Sequence, residues 1–540
     1  MLKHADCGYC MLFTSYSFIL FLIALFVVYY LIPKKFQWVL LLFASYVFYS
    51  FAGFKYLFYI IATTLSTYFI SRRLDKIQTI QADYLKEKKE ELTRDERKAY
   101  KSVMKSKQRK WLTICLLFNF GILAVLKYTD FAIGNINSVL DLLNVANKLS
   151  IFGFMLPLGI SFYTFQTMGY IIDVYREKYH YEKNVFQLAL FISFFPQMIQ
   201  GPISRFDDLK ETLFSEHSYD FKNISFGLQR ILWGFFKKLV IADRLLIAVN
   251  TIVHDPDGFQ GMYVVVGIFF YAIELYSDFT GGIDIAIGIA QVMGIKLKEN
   301  FERPFFSKSI SEYWRRWHIT LFSWFKDYIF YPISISKPML NLSKTCRARF
   351  GDEIGKRIPV YLASIIVWFI TGIWHGAAWN FIVWGLLNCL IILVSQECHP
   401  FYAKFHNKFH VEHSFWYRLF QVGRTFWLMS FLRIFDCYRN VGLTFKMFGT
   451  IITKFNIAEL FQGGMMKFGL TISDYIVLIF GISLLLTISL LQRSGSVREK
   501  LALRPVVLRY VTYFIIFIAI LLLGAYGVGY DASQFIYSQF

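Results

Sequence analysis

Five long runs of this chain carry no Asp, Glu, Lys or Arg: residues 11–33, 36–54, 151–172, 376–396 and 510–530. Each approaches or exceeds the ~20 apolar residues that a helix needs to cross a bilayer. Backbone buried in hydrocarbon must satisfy its own hydrogen bonds, and a helix does so within one segment. The chain is therefore predicted to be an all-α, multi-pass membrane protein with about 11–14 transmembrane helices and a few re-entrant or interfacial ones. Composition agrees: 56% of the 540 residues are hydrophobic and 17% are charged, against about a quarter charged in a soluble chain. Secreted, disordered and nucleic-acid-binding classes are excluded.

The net charge of +20 needs no acidic partner, because Lys and Arg collect in cytoplasmic loops. Residues 72–110 hold the densest charge and are expected to be a cytoplasmic basic segment, helical only as a charge-laced surface helix. Working outward from it, the first span descends and the N-terminus lies outside. Residues 493–509 are also basic, so the last span rises and the tail 531–540 lies outside as well. No cleavable signal peptide is expected, since no small-residue cleavage site follows the first run. The whole of 1–540 reads as one integral membrane domain with its core at about 111–396. Seven cysteines are scattered, and the C-x-x-C of Cys7 and Cys10 lacks the βαβ context of a redox motif.

Polar groups in membrane segments are costly and mark function by default. In 300–332, apolar and aromatic residues recur at helical spacing from Ser307 onward, which places His318 on the same helix face as Trp314 and turns Arg315 and Arg316 away. The competing explanation is a Trp- and Arg-rich helix lying at the membrane boundary. In 358–396, His375 is the sole Asp, Glu, Lys, Arg or His, set between Trp374 and Gly376. A buried neutral imidazole there is suited to take a proton from a hydroxyl, and Gly372 and Gly376 leave room for a close neighbour. In 275–288, Asp278 and Asp284 flank Gly281–Gly282; no metal is expected, and the favoured reading is a helix break with Asp as cap or orienting acceptor. The histidines at 399, 406, 410 and 413 read as a polar cytoplasmic connector.

Five segments in order carry a wider pattern: LPLGISFYTFQTMGYIIDVYR (156–176), QGPISR (200–205), SDFTGGIDIAIG (277–288), NFERPF with SISEYWRRWHITLFSWFKDYIFYP (300–332), and GIWHGAAWNFIVWG (372–385). This resembles the membrane-bound O-acyltransferase (MBOAT) family, most nearly its AlgI-like bacterial polysaccharide branch, which is related to the DltB-like D-alanyl transferases. The resemblance implies that His375, of the W-H-G motif, is catalytic and that His318 is its second histidine. Trp374, Asn380, Asp278 and Gln166, with Arg315 and Arg316, become candidates to line a tunnel or orient reactants. The ending QFIYSQF is similar to the tail of that branch and to that of a small D-alanylation protein, so Tyr537 becomes a candidate acyl relay. After Tyr331–Pro332 the chain departs from the family's glycine-rich turn, and 426–437 keeps an aromatic–Arg character but not the family's usual wording.

The resemblance further implies an acyltransferase of the bacterial cytoplasmic membrane that moves an acyl group, acetyl in the leading case, to an exported or cell-surface polysaccharide. Acetyl-CoA or a carrier-protein thioester would be the donor, no cofactor would be bound, and an SGNH-type extracytoplasmic partner would complete the transfer. The alternatives are D-alanyl transfer to teichoic acid and a non-catalytic transporter. The transporter would call for the matching halves and broken helices of an inverted repeat, and no internal repeat is visible in the sequence.

Overall fold

The computed structural model describes residues 11 and 13–526; Cys7, Cys10 and Tyr537 lie outside that range. Regular structure among the described residues is helical, apart from one isolated antiparallel bridge between Phe301 and Trp317. Six helices are long and apolar enough to cross a membrane, and Tyr16–Leu31 and Val441–Thr453 are shorter apolar helices. This is the all-α membrane architecture that the charge-free runs predict. The chain forms two compact units, Met1–Ser225 with Ile289–Leu297, and Phe226–Gly288 with Lys298–Phe540.

The first unit contains α1 (Tyr16–Leu31), α2 (Gln37–Ser50), α3 (Leu57–Glu87), α4 (Arg94–Leu142), α5 (Ile160–Tyr175) and α6 (Val185–Ser193). The basic segment is more regular than its charge density predicts: α3 runs unbroken through 31 residues into it, and α4 leaves it for 49. Lys, Arg and Glu are good helix formers, and a thin stripe with Leu74, Ile77 and Met104 stays buried while the charges face out. A capping box starts α4, with the Glu96 carboxylate accepting from Thr93 N–H at 2.8 Å and the Thr93 hydroxyl accepting from Glu96 N–H at 3.3 Å. Lys105 Nζ and Gln78 Nε2 donate to the Tyr175 and Val174 carbonyls, both at 2.8 Å. These bonds tie the basic hairpin to the end of α5.

The run 151–172 is helical only from Ile160. Gly159 holds φ 67°, and a Cβ there would lie 2.2 Å from the Met198 carbonyl oxygen, so this glycine is required by a close approach. Nearly every residue of α5 is buried, as expected of a helix that is apolar on all sides and enclosed by protein. Gln166 belongs to this unit, where its Nε2 donates to the Phe191 carbonyl at 2.7 Å; it anchors α6.

The second unit is built on α7 (Phe221–Phe235), continued as a π-helical stretch over Phe236–Ala242, then α8 (Met262–Val292), α9 (Ile310–Arg316), α10 (Ile319–Phe325), α11 (Asp352–His375), α12 (Trp379–Glu397), α13 (Phe415–Leu432), α14 (Ile472–Leu491) and α15 (Val506–Leu523). The expected break at Gly281–Gly282 does not occur: α8 is continuous for 31 residues. Those glycines serve packing instead. A Cβ on Gly234 would lie 2.6 Å from the Gly281 carbonyl oxygen, and one on Gly288 2.7 Å from that of Gly227, so small residues let α7 and α8 touch backbone to backbone.

Candidate active site

Two lysines of the π-helical stretch reach α8. Lys238 Nζ lies 2.6 Å from Asp278 and 2.8 Å from Asp243, while Lys237 Nζ lies 2.6 Å from Asp284. Arg230 completes the network, 2.8 Å from Asp284 and 2.5 Å from Glu299. Inserting an extra residue per turn shifts the helix face, and here consecutive lysines both face α8. Asp278 is thus an acceptor, as expected, but for a buried lysine and not as a cap.

The segment carrying His318 is not one helix. α9 stops at Arg316, Trp317 is extended, and His318 takes a left-handed conformation (φ 50°, ψ 50°) as the first turn of α10 begins. The expectation that His318 shares a helix face with Trp314 is therefore corrected. What stops the helix is a backbone exchange with the preceding segment: Glu302 N–H donates to the Arg316 carbonyl at 2.9 Å, and Ile319 N–H to the Asn300 carbonyl at 3.0 Å. A left-handed non-glycine residue persists only where its surroundings over-determine it.

Asn300, fully buried, supplies that determination. Its Oδ1 accepts from Thr320 N–H at 3.0 Å and the Thr320 hydroxyl at 2.9 Å, and lies 3.3 Å from His318 Nδ1. The Thr320 N–H fixes which amide atom is oxygen, so His318 must carry its proton on Nδ1, leaving the basic lone pair on Nε2. His318 lies outside the six candidate spans. Burial lowers its pKa to about 3, and the Arg433 charge acts in the same direction. It is a neutral imidazole across the physiological range.

His375 is the last residue of α11 and is half-buried. The following helix folds back tightly, since a Cβ on Gly385 would meet the Trp368 carbonyl oxygen at 2.4 Å and one on Gly372 the Phe381 carbonyl oxygen at 2.5 Å. The room left by Gly372 is filled by α12. Trp374 joins the two histidines, with its ring centroid 5.9 Å from His318 and 4.9 Å from His375. His375 also meets Trp384 at 4.7 Å, and His318 meets Phe279 at 5.0 Å.

Arg433 is buried over the face of Trp317 at 4.3 Å, 3.5 Å from Asp436 and 3.5 Å from the Tyr313 hydroxyl. Asn380, in the first turn of α12, donates to the Phe435 carbonyl at 3.0 Å, so it anchors the Arg433 segment. Arg315 is exposed, as expected, whereas Arg316 is half-buried and pairs with Glu312 at 2.7 Å. The structure thus gathers His318, Trp374 and His375, places Asn380 and Asp278 in supporting contacts, and leaves Arg315 on the surface. Sequence reasoning missed Asn300 and Arg433. Their signals were an amide heading NFERPF and the arginine in the aromatic–Arg run 426–437.

Residues 180–345 match the profile described as MBOAT, membrane-bound O-acyltransferase family. The peptidoglycan O-acetyltransferase of Helicobacter pylori is 30% identical over 70% of this chain and 67% of its own length. The chain belongs to the membrane-bound O-acyltransferase family. The MBOAT match contains Asn300 and His318 and ends before His375. A probable alginate O-acetylase AlgI of Azotobacter vinelandii is 32% identical over 69% of this chain and 66% of its own length. The teichoic acid D-alanyltransferase of Bacillus subtilis is 28% identical over 47% of the chain and 61% of its own length. The chain thus spans about two thirds of the length of the MBOAT relatives it matches.

Proposed function

We propose that this chain transfers an acyl group, in its simplest form acetyl, from a thioester presented on the cytoplasmic side to a hydroxyl bound for a cell-surface or exported polysaccharide. The observation that carries this reading is the meeting of two histidines from separate segments on one indole, Trp374. Relatives named for alginate and peptidoglycan O-acetylation support a glycan acceptor.

In the proposed step the half-buried His375 takes the hydroxyl proton as oxygen attacks the thioester carbonyl. The C–S bond breaks, an ester forms, and the imidazolium returns its proton to the departing thiolate. His318, neutral and with Nε2 as acceptor, aligns a hydroxyl or amide of the reactants. The donor is acetyl-CoA or a carrier-protein thioester. Tyr537 holds the acyl group in transit, and an SGNH-type extracytoplasmic partner completes delivery. The chain sits in the bacterial cytoplasmic membrane with both ends outside.

The test is His375→Ala: polymer-bound acetate disappears while the amount of protein in the membrane is unchanged. Normal acetylation in that variant removes His375 from the mechanism. Similarity to a D-alanyltransferase supports a second reading, D-alanyl transfer to teichoic acid. Mass spectrometry of the acyl group released from the polymer by mild base separates the two, as acetate or D-alanine.

A further inference from the structure

The four histidines of 399–413 suggest a polar connector, yet His399–Phe409 folds as a helix with no buried residue. Phe401, Phe405 and Phe409 recur at four-residue steps beside Tyr402, so the rings share one face, and all four are exposed, Phe401 at 69%. Lys404 and Lys408 run along one edge of that face. On its other edge the half-buried His406 holds Nε2 2.8 Å from the Tyr417 hydroxyl of α13, which fixes how the helix is rolled. The aromatic surface continues onto the first turns of α13 with Phe415, Trp416 and Phe420, Trp416 at 74% exposure.

A free helix of 11 residues is marginal in water even when rich in Ala, and aromatic residues are poorer helix formers still. The aromatic face therefore needs a cover, and its place in the fold says which. α12 is long and apolar enough to cross a membrane and ends at Glu397, so a single residue, Cys398, separates a span from the connector helix. The helix begins at the membrane boundary. Glu397 is bonded to Arg357 of α11 at 2.6 Å, and residues 337–357 carry six Lys/Arg against two Asp/Glu, the balance of a cytoplasmic face. Lys404 and Lys408 have no carboxylate within ion-pair distance among the described residues, since Glu412 lies 3.6 Å from His406. Lys408 Nζ instead lies 5.5 Å over the Phe409 ring.

We propose that the helix His399–Phe409 lies in the headgroup layer of the cytoplasmic leaflet and selects anionic phospholipid, with Phe401, Phe405 and Phe409 among the acyl chains and Lys404 and Lys408 against lipid phosphates. A helix with rings on one face and lysines beside them binds an interface by apolar burial plus attraction to anionic lipid. Lysine stems reach from the apolar layer to the head groups, and each such charge adds an attraction that salt weakens. The surface stands on its own geometry, whether or not the chain transfers acyl groups.

The experiment follows amide hydrogen exchange of residues 399–409 in full-length protein, held in nanodiscs of phosphatidylcholine alone or mixed with phosphatidylglycerol. The variants are Lys404→Gln/Lys408→Gln and Phe401→Ser/Phe405→Ser. Phosphatidylglycerol is expected to slow exchange of the wild-type helix about ten-fold, since two lysines meet the charged surface. High salt and the lysine variant both remove that difference, and the phenylalanine variant exchanges faster in either lipid. Equal exchange of the wild type in the two lipids overturns the proposal. So does a lysine variant of unchanged unfolding temperature that phosphatidylglycerol slows as much as the wild type. Protection that follows the number of copies per disc, and not lipid charge, places a second copy on this face and overturns it as well.

Discussion

Asn300 and His318 share one hydrogen-bonding centre: the amide oxygen that lies 3.3 Å from His318 Nδ1 also holds the Thr320 N–H at 3.0 Å. One buried oxygen therefore sets both the ring's tautomer and the left-handed turn that aims it.

Replacing Asn300 with Ala removes the buried oxygen shared by the Thr320 N–H, the Thr320 hydroxyl and the His318 ring. A stability loss of about 1–3 kcal/mol is expected from the lost hydrogen bonds, with acyl transfer falling further than the folded fraction explains. Thermal unfolding in detergent and polymer acetylation measure the two. Equal losses would make Asn300 purely structural.

The α11–α12 contact leaves no room for a side chain at Gly385, whose Cβ would lie 2.4 Å from the Trp368 carbonyl oxygen. Gly385→Leu is expected to cost about 3 kcal/mol or more, since the obstructing atoms, the Trp368 oxygen and the Gly372 Cα and N at 3.2 Å, are all backbone, and to lower expression in membranes. Gly423, with nothing within 4 Å of its Cβ, is the matched control, and Ala there should be neutral or mildly stabilising.

The buried lysines allow a graded test. Lys238→Met removes the cation that Asp278 and Asp243 share, and breaking a buried pair in this way costs about 3–5 kcal/mol. Asp278→Asn leaves Lys238 with Asp243 still in place and should cost clearly less. Unfolding temperatures in the reverse order would show that Asp278, not Lys238, holds the network.

His318 sets a pH dependence whose sign follows from its lowered pKa. The folded ring stays neutral down to about pH 3, whereas the unfolded chain binds a proton below about 6.5. No stability is lost above pH 6.5, and stability falls as pH drops from there towards 3, by on the order of 2 kcal/mol at pH 5. His318→Gln should flatten that acid slope in thermal unfolding. An unchanged slope would assign it to other groups.

Much of the architecture was legible because hydropathy is a local property. The predicted spans 376–396 and 510–530 overlap α12 (Trp379–Glu397) and α15 (Val506–Leu523), and His375 stood out as a lone imidazole in an apolar run. The reading failed where local pattern and tertiary pairing disagree. A charge-dense segment became two long helices because its buried stripe is thin, and a glycine pair that reads as a break became a contact because α7 presses against it.

The apolar runs and their isolated histidines by themselves determined that the chain is helical, lies in a membrane and holds an imidazole where charge is costly. Only the tertiary structure decided that His318 begins a new helix, that Asn300 and Arg433 attend it, and that Trp374 bridges both rings. The reason is physical. Partition into a bilayer depends on a residue and its near neighbours, whereas a hydrogen bond, an ion pair or a helix crossing depends on two residues whose separation along the chain places no limit on their distance in space.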